Sequence, residues 1–389
     1  MSPRVATTGL FVVNGAVIGL WVSQIPSIQR EFDLSSGAMG LVVLCMSLAV
    51  IVAVPVAGQA VARRGSTPVA VAGGVACLLA VSLPVLAPTA LLVAAALVVL
   101  GGASAAMDVG MNSHGVELEV RGGKPIMSSL HAGWALGGAA GATAGALGWA
   151  LDLDGAITVA VTSAALAVLL AVCARRLGEG TVAEGEEAAR FTLPSRGVAL
   201  LAALCLLVMM TEGAMADWSG IYMRNDLGAG AALAALSYAV FTSGMTVGRL
   251  VGDRLNRWLG PTALLRVGAL LTAVPLALML VSGSVAVALP ALFVVGLGVA
   301  NGVPLMFSAA GRRPDTAAGP GIAAVSSTGS IGFLLGPPLI GFLAGATSLP
   351  WALAVLVPAA VAVFVLARRA AGPTGAPAAT GARAVVGMG

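Results

Sequence analysis

Apolar residues run along this chain in long blocks, broken by short polar knots. One block, TALLVAAALVVLGGASAAM, carries no charge from Thr89 to Met107. Directly after it come Asp108, Asn112, His114, Glu117 and Glu119. Windows of about 20 residues, the length that spans a bilayer as a helix, give twelve segments. They run over 6–28, 37–61, 67–87, 89–116, 126–150, 155–175, 197–223, 229–252, 262–282, 285–309, 319–345 and 349–369. Uninterrupted apolar runs of this length predict helices rather than a barrel, whose strands would alternate. The first run, Val5 to Ile28, is too long for a signal h-region and has no small-residue cleavage site, so it is expected to stay as the first helix.

Composition strengthens that reading. Apolar residues are 59% of the 389 and charged residues 9%, against roughly 25% charged in soluble domains. So few charges cannot cover a water-facing surface, so a polytopic all-α membrane protein is expected. The four cysteines, Cys45, Cys77, Cys173 and Cys205, lie inside apolar segments at no metal-ligand spacing and read as small hydrophobes. The net charge of +4 comes without a basic cluster interleaved with aromatics, so nucleic acid is not an expected partner. Membrane lipid is.

Charge placement orients the segments. With both termini in the cytoplasm, the inner side holds Arg4, Arg63, Arg64, Arg121, Lys124, Arg175, Arg176, Arg190, Arg196, Arg254, Arg257, Arg312, Arg313, Arg368, Arg369 and Arg383, while Arg30 and Arg224 fall outside. Arg249 and Arg266 are expected at the inner ends of their helices. This asymmetry follows the positive-inside rule and predicts a multi-pass protein of the cell (inner) membrane. The polar stretch 178–196 divides the helices into six (1–177) and six (197–370), and 371–389 reads as a disordered tail.

The halves echo each other. Leu100 onward through ALGGAAGATAG has a counterpart in LGVAN…SIGFLLGPPLIG about 195 residues later, and Asn14-Gly15-Ala16 before Trp21 parallels Glu212-Gly213-Ala214 before Trp218. Two parallel six-helix bundles imply a pseudo-two-fold axis along the membrane normal, with a substrate site at the midplane between them. The glycines of Gly137–Gly148 serve close helix packing.

An ionisable side chain within a span costs about 2.5–3.5 kcal/mol on insertion scales, so each one requires a reason. Asp108 and Asn112 are four apart and share a helical face. They can line a cavity and hydrogen-bond a polyol, or tie one helix to another. His114, Glu117 and Glu119 approach the charged turn EVRGGK and read as a solvated helix end. His131 should sit at a depth similar to that of Asp108 on the next, antiparallel helix, as a solute ligand, a proton relay or a packing residue. Glu212 lies near the midplane with no basic residue close on its own helix. An acid left unpaired there can take up and release a proton, although a hydrogen bond to another helix would equally hold it. Trp218 is either an interfacial belt residue or a stacking surface at the cavity rim. A metal site from Asp108, His114, Glu117 and His131 would need tighter convergence than the spacing suggests. No cofactor is implied. HExxH, G-x-S-x-G and GxxxxGK[ST] are absent from the sequence, and GLGVANG sits mid-helix, so an enzyme is not expected.

These residues resemble the major facilitator superfamily. The turns GQAVARRG (Gly58–Gly65) and GRLVGDRLNRWLG (Gly248–Gly260) follow the second and eighth helices, as that family's signature does. Gly58, Arg63 and Gly65 match it, while Ala62 stands where the family has an acid. The second copy keeps Asp253-Arg254, with Arg249 four residues earlier. The resemblance implies a gating latch at these turns, one half of it lacking its acid. More narrowly the chain is similar to the fucose-permease-like branch, through Asp108 with Asn112, the LH…LGG entry to the fifth helix, Glu212, and GFLLGPPLIGFLA (Gly332–Ala344). Sugar symporters there have an acid in the first helix, where this chain offers Asn14, Ser23 and Gln24. The reading is therefore a proton-linked carrier of a small polar, sugar-like solute. Asp108, Asn112, His131, Glu212, Asn14, Gln24, Asn301 and Trp218 are its expected solute contacts, and Glu212 or Asp108 its proton site. Efflux of a drug or metabolite is the alternative, although 4% aromatics is lean for a drug pocket. A non-transporting sensor or scaffold is a remote second.

Overall fold

The structure, a computed structural model, describes residues 2–123, 126–178, 198–313 and 318–370. The expected linker, apart from Gly178, and the tail 371–389 lie outside the described residues, as does Lys124. Among the described residues twelve long helical segments run in chain order, all but the fifth long and apolar enough to cross a membrane. They are α1 (Pro3–Glu31), α2 (Ser36–Arg64), α3 (Ser66–Leu86), α4 (Ala90–Gly122), α5 (Met127–Ala150), α6 (Gly155–Ala174), α7 (Ala199–Asp226), α8 (Ala231–Leu259), α9 (Pro261–Ser282), α10 (Val285–Gly311), α11 (Ala318–Ala346) and α12 (Leu349–Ala370). The last turn of α7, from Tyr222, is a π-helix, and α10 is interrupted at Ala300 and Asn301.

Each helix begins or ends where local chemistry dictates. The Ser2, Ser35 and Thr89 hydroxyls accept the N–H groups of Val5, Ala38 and Leu92, capping α1, α2 and α4. Pro261 opens α9, where its missing N–H costs nothing. Between α2 and α3 the link is Gly65 alone, at φ 84°; between α8 and α9 it is Gly260, at φ 78°. Asp33 and Gly228, in the turns after α1 and α7, also take positive φ. Both pairs are about 195 positions apart, so the internal repeat extends to backbone conformation.

Packing repeats with the same offset. In the first half α1 packs on α5 and α2 on α4; in the second, α7 packs on α11 and α8 on α10. A Cβ at Gly137 or Gly141 would run into the Val12 or Ala16 carbonyl of α1. Their counterparts Gly332 and Gly336 press on Leu206 and Met210 of α7. Gly101 lies against the Met46 carbonyl of α2, and Gly296 against the Phe241 carbonyl of α8. In lipid, where burying apolar surface drives little helix association, such backbone approach supplies the van der Waals contact that does.

The halves meet chiefly at the end of the bundle remote from residue 3. There Asn225 Nδ2 donates to Gln29 Oε1 at 2.9 Å, Gly40 sits on Gly341, Gly37 on Gly345, and Gly220 against Pro26. Further in, Gly138 of α5 faces the Tyr238 ring of α8. At the opposite end Gly58 has no atom within 4 Å of a built Cβ, and Arg63, Arg64, Asp253 and Arg254 are exposed. A cleft between the halves therefore opens toward the end that carries the first residue.

Two expectations change here. Helix α4 continues to Gly122, beyond the expected limit at 116, because its tail has partners. His114 is fully buried, with Nδ1 3.4 Å from Ser66 Oγ and 3.3 Å from Thr67 Oγ1 at the start of α3. Glu117 reaches Arg121 at 3.4 Å, and Glu119 Oε2 accepts the N–H groups of Ile126 (2.7 Å) and Met127 (3.1 Å) entering α5. This segment is a packed clamp between α3, α4 and α5, not a solvated helix end.

Candidate functional site

Four helices carry the titratable groups of the candidate site. Asp108 on α4 is exposed, although protein surrounds it over a wider radius, as it does a group in the wall of a cleft. The exposed apolar stripe of α4, including Leu91, Val98, Val116 and Val120, faces elsewhere, a quarter to a third of a turn away. Asn112 Nδ2 donates to Asp108 Oδ1 at 3.1 Å and to the Asp108 carbonyl at 2.9 Å, so the two form the expected pair. His131 on α5 is likewise exposed but enclosed, on the side of its helix away from the exposed Leu136 and Leu147. The Phe11 ring meets its imidazole edge-on at 5.3 Å.

Glu212 on α7 is buried but has a cation beside it. Arg249 of α8 places its Nη2 3.6 Å from Glu212 Oε1. The expectation of an unpaired acid is thereby corrected, because the partner arrives from another helix. Arg249 is corrected with it. It lies ten residues before the end of α8, on the opposite side from the exposed Val247, and not at the latch with Asp253 and Arg254. It is within electrostatic reach of His131 across the cleft. Tyr238, three turns earlier on α8, lies within reach of Glu212, Asp217 and Arg249.

The other expected residues have structural partners. Asn14 is buried, and its Oδ1 accepts the indole N–H of Trp134 at 2.8 Å; its Nδ2 has no partner among the described residues. Gln24 is buried near the closed end, its Nε2 donating to Ser23 Oγ at 3.0 Å. Trp218 belongs neither to a belt nor to the rim. It is fully buried in the α7–α11 seam, with its N–H given to the Pro337 carbonyl at 2.8 Å. Asn301, at the break in α10, donates to the Gly248 carbonyl at 3.0 Å. It borders a separate, apolar cavity of about 250 Å³ within the second half, lined also by Val208, Leu265 and Gly268. Neither Trp218 nor Asn301 reaches the cleft as expected, since a buried polar group that already has its hydrogen bond holds helices together. Among the described residues the latch groups Asp253 and Arg254 make no ion pair, and no His, Cys, Asp or Glu group is arranged to hold a metal.

Sequence reasoning passed over Trp134 and Tyr238. Trp134 follows His131 by three positions in LHAGWALGG, so it shares that face of α5. Tyr238 had no comparable signal, because its place is set by the meeting of α5 and α8.

Comparison with known proteins agrees with this architecture. The model of the Major Facilitator Superfamily matches residues 7–319. An uncharacterised MFS-type transporter of Yersinia pestis is 31% identical over 349 residues, covering 90% of this chain and 91% of that one. Membrane protein MosC of Rhizobium meliloti is 30% identical over 365 residues, covering 91% and 86%. Among solved structures, a single-residue mutant of the nucleoside transporter NupG superposes with a TM-score of 0.75 at 10% identity, over 95% of this chain and 100% of that one. A bacterial homologue of the human lysosomal transporter Spinster, inward-facing and unoccupied, gives 0.66 at 14% identity, over 95% of each chain. At these identities the two structures speak for the fold alone. With twelve helices in two repeated bundles and a family match across most of its length, this multi-pass membrane protein belongs to the major facilitator superfamily of transporters.

Proposed function

We propose that the chain carries a small polar, sugar-like solute across the bacterial inner membrane by alternating access, with its movement linked to protons. What supports this reading is that Asp108 and His131 of one half are exposed yet walled by protein, and that the Glu212–Arg249 pair of the other half lies within electrostatic reach of His131. Polar groups at membrane depth persist where they serve a solute or ion path. The unpartnered Nδ2 of Asn14, behind Trp134, adds a donor suited to a hydroxyl. Trp134, partly exposed, adds an aromatic face on which a ring can stack. With the positive-inside rule placing the termini in the cytoplasm, the open end faces inward and the sealed end outward.

Glu212 is the proposed coupling residue. A proton on its carboxylate would release Arg249 to a solute oxygen, and loss of that proton would restore the ion pair. In proteoliposomes, Glu212→Gln should abolish uphill, pH-driven uptake while exchange of preloaded solute survives. Equal loss of both activities would remove Glu212 from the coupling step.

A further inference from the structure

The charges of the cleft do not balance. Asp108 faces it from α4 and His131 from α5, with Glu212 on α7 paired to Arg249 on α8. Arg249 is the one arginine or lysine among these groups, and it is engaged with Glu212 at 3.6 Å. Asp108 has the Asn112 amide on Oδ1, and among the described residues no hydrogen bond or ion pair reaches Oδ2. An exposed carboxylate walled by protein, and lacking a cation, fits a cation that comes and goes.

From this geometry we infer that the solute carries a protonated amino group, received by Asp108: an aminated polyol or amino sugar rather than a neutral or anionic one. The inference rests on the proposed cleft and sharpens the class of solute it takes. Asn112 fixes the rotamer of Asp108 by binding Oδ1, which leaves Oδ2 as the acceptor for an ammonium. The hydroxyl-bearing ring is then left to Trp134 and the Asn14 amide. A neutral solute would leave Asp108 bare, and a carboxylated one would place like charges together.

The test holds the ring constant and varies one substituent. Purified protein in sodium-free buffer at neutral pH is titrated with glucose, glucosamine, N-acetylglucosamine and glucuronate, with the acyclic pair sorbitol and glucamine alongside. Binding is read by calorimetry. The expected result is a preference of about tenfold or more for each amine over its neutral partner, the contribution of one charge-assisted hydrogen bond. Asp108→Asn, which keeps the shape and the Asn112 neighbour, should erase that preference, while Glu119→Ala, at the start of α5, should leave it. Equal binding of amine and neutral partners, unchanged by Asp108→Asn, would overturn the inference and leave the polar-solute reading standing. Failure of every compound to bind a folded wild-type protein would overturn both. Preference for glucuronate, lost in Arg249→Gln, would reassign the cleft to anions.

Discussion

At the scale of single residues, the Glu212–Arg249 pair is the most exacting feature. Removing one partner from a buried ion pair leaves the other charged and unsatisfied, at a cost of about 3 kcal/mol. Arg249→Gln alone should therefore lower stability in detergent by about that amount, and Glu212→Gln combined with it should restore most of the loss. Denaturant unfolding of the three variants checks this; an additive double variant would mean that the pair carries no coupling. A smaller effect belongs to Glu119, whose carboxylate serves two N–H groups at the start of α5. Glu119→Ala should cost about 1 kcal/mol, as loss of a helix cap does, with no change in solute affinity. The sequence marked Asp108, Asn112, His131 and Glu212 as exceptional, because charge in an apolar run stands out. It could not supply the partner of Glu212, since pairing between helices depends on how they are turned, and Arg249 also fitted a positive-inside reading. His114 misled for a related reason: a polar residue near a helix end looks solvated until Ser66 and Thr67 are placed beside it.

At the scale of elements, glycine governs which helices touch. Gly141→Leu and its counterpart Gly336→Leu would each drive a side chain into the backbone of the facing helix, Ala16 or Met210. Both should abolish the yield of folded protein, read as the monodisperse fraction after extraction. Gly102→Leu, where a Cβ meets nothing within 4 Å, is the control and should be tolerated. Helix number and approximate limits were legible, since apolar runs of bilayer length have few alternatives. The repeat was legible too, through glycine spacing, and Gly65 and Gly260 extend it to matching backbone angles. The break in α10 at Asn301 was not, because the segment stays apolar through it and the hydrogen bond to Gly248 appears only when α8 lies alongside.

At the scale of the molecule, the two bundles are sealed at one end and apart at the other. Gln29 and Asn225 already touch across the sealed end. A Gln29→Cys, Asn225→Cys pair should cross-link readily under mild oxidation and stop transport, with activity recovering on reduction. A pair that cross-links without any loss of transport would show that this end need not open. Glu212 and Arg249 both belong to the second bundle, so their pairing travels with that bundle when the halves rock. This has an electrical consequence. A carboxylate and a guanidinium that move as a unit carry no net charge through the membrane field, whereas Asp108 unaccompanied would, at about 2.3 kcal/mol per elementary charge for each 100 mV fully traversed. With an ammonium seated on Asp108 and the coupling proton on Glu212, the loaded carrier bears the one positive charge of Arg249, whereas the empty one, its ion pair restored, bears the negative charge of Asp108. An inside-negative membrane potential would then favour both the inward step of the loaded protein and the outward return of the empty one.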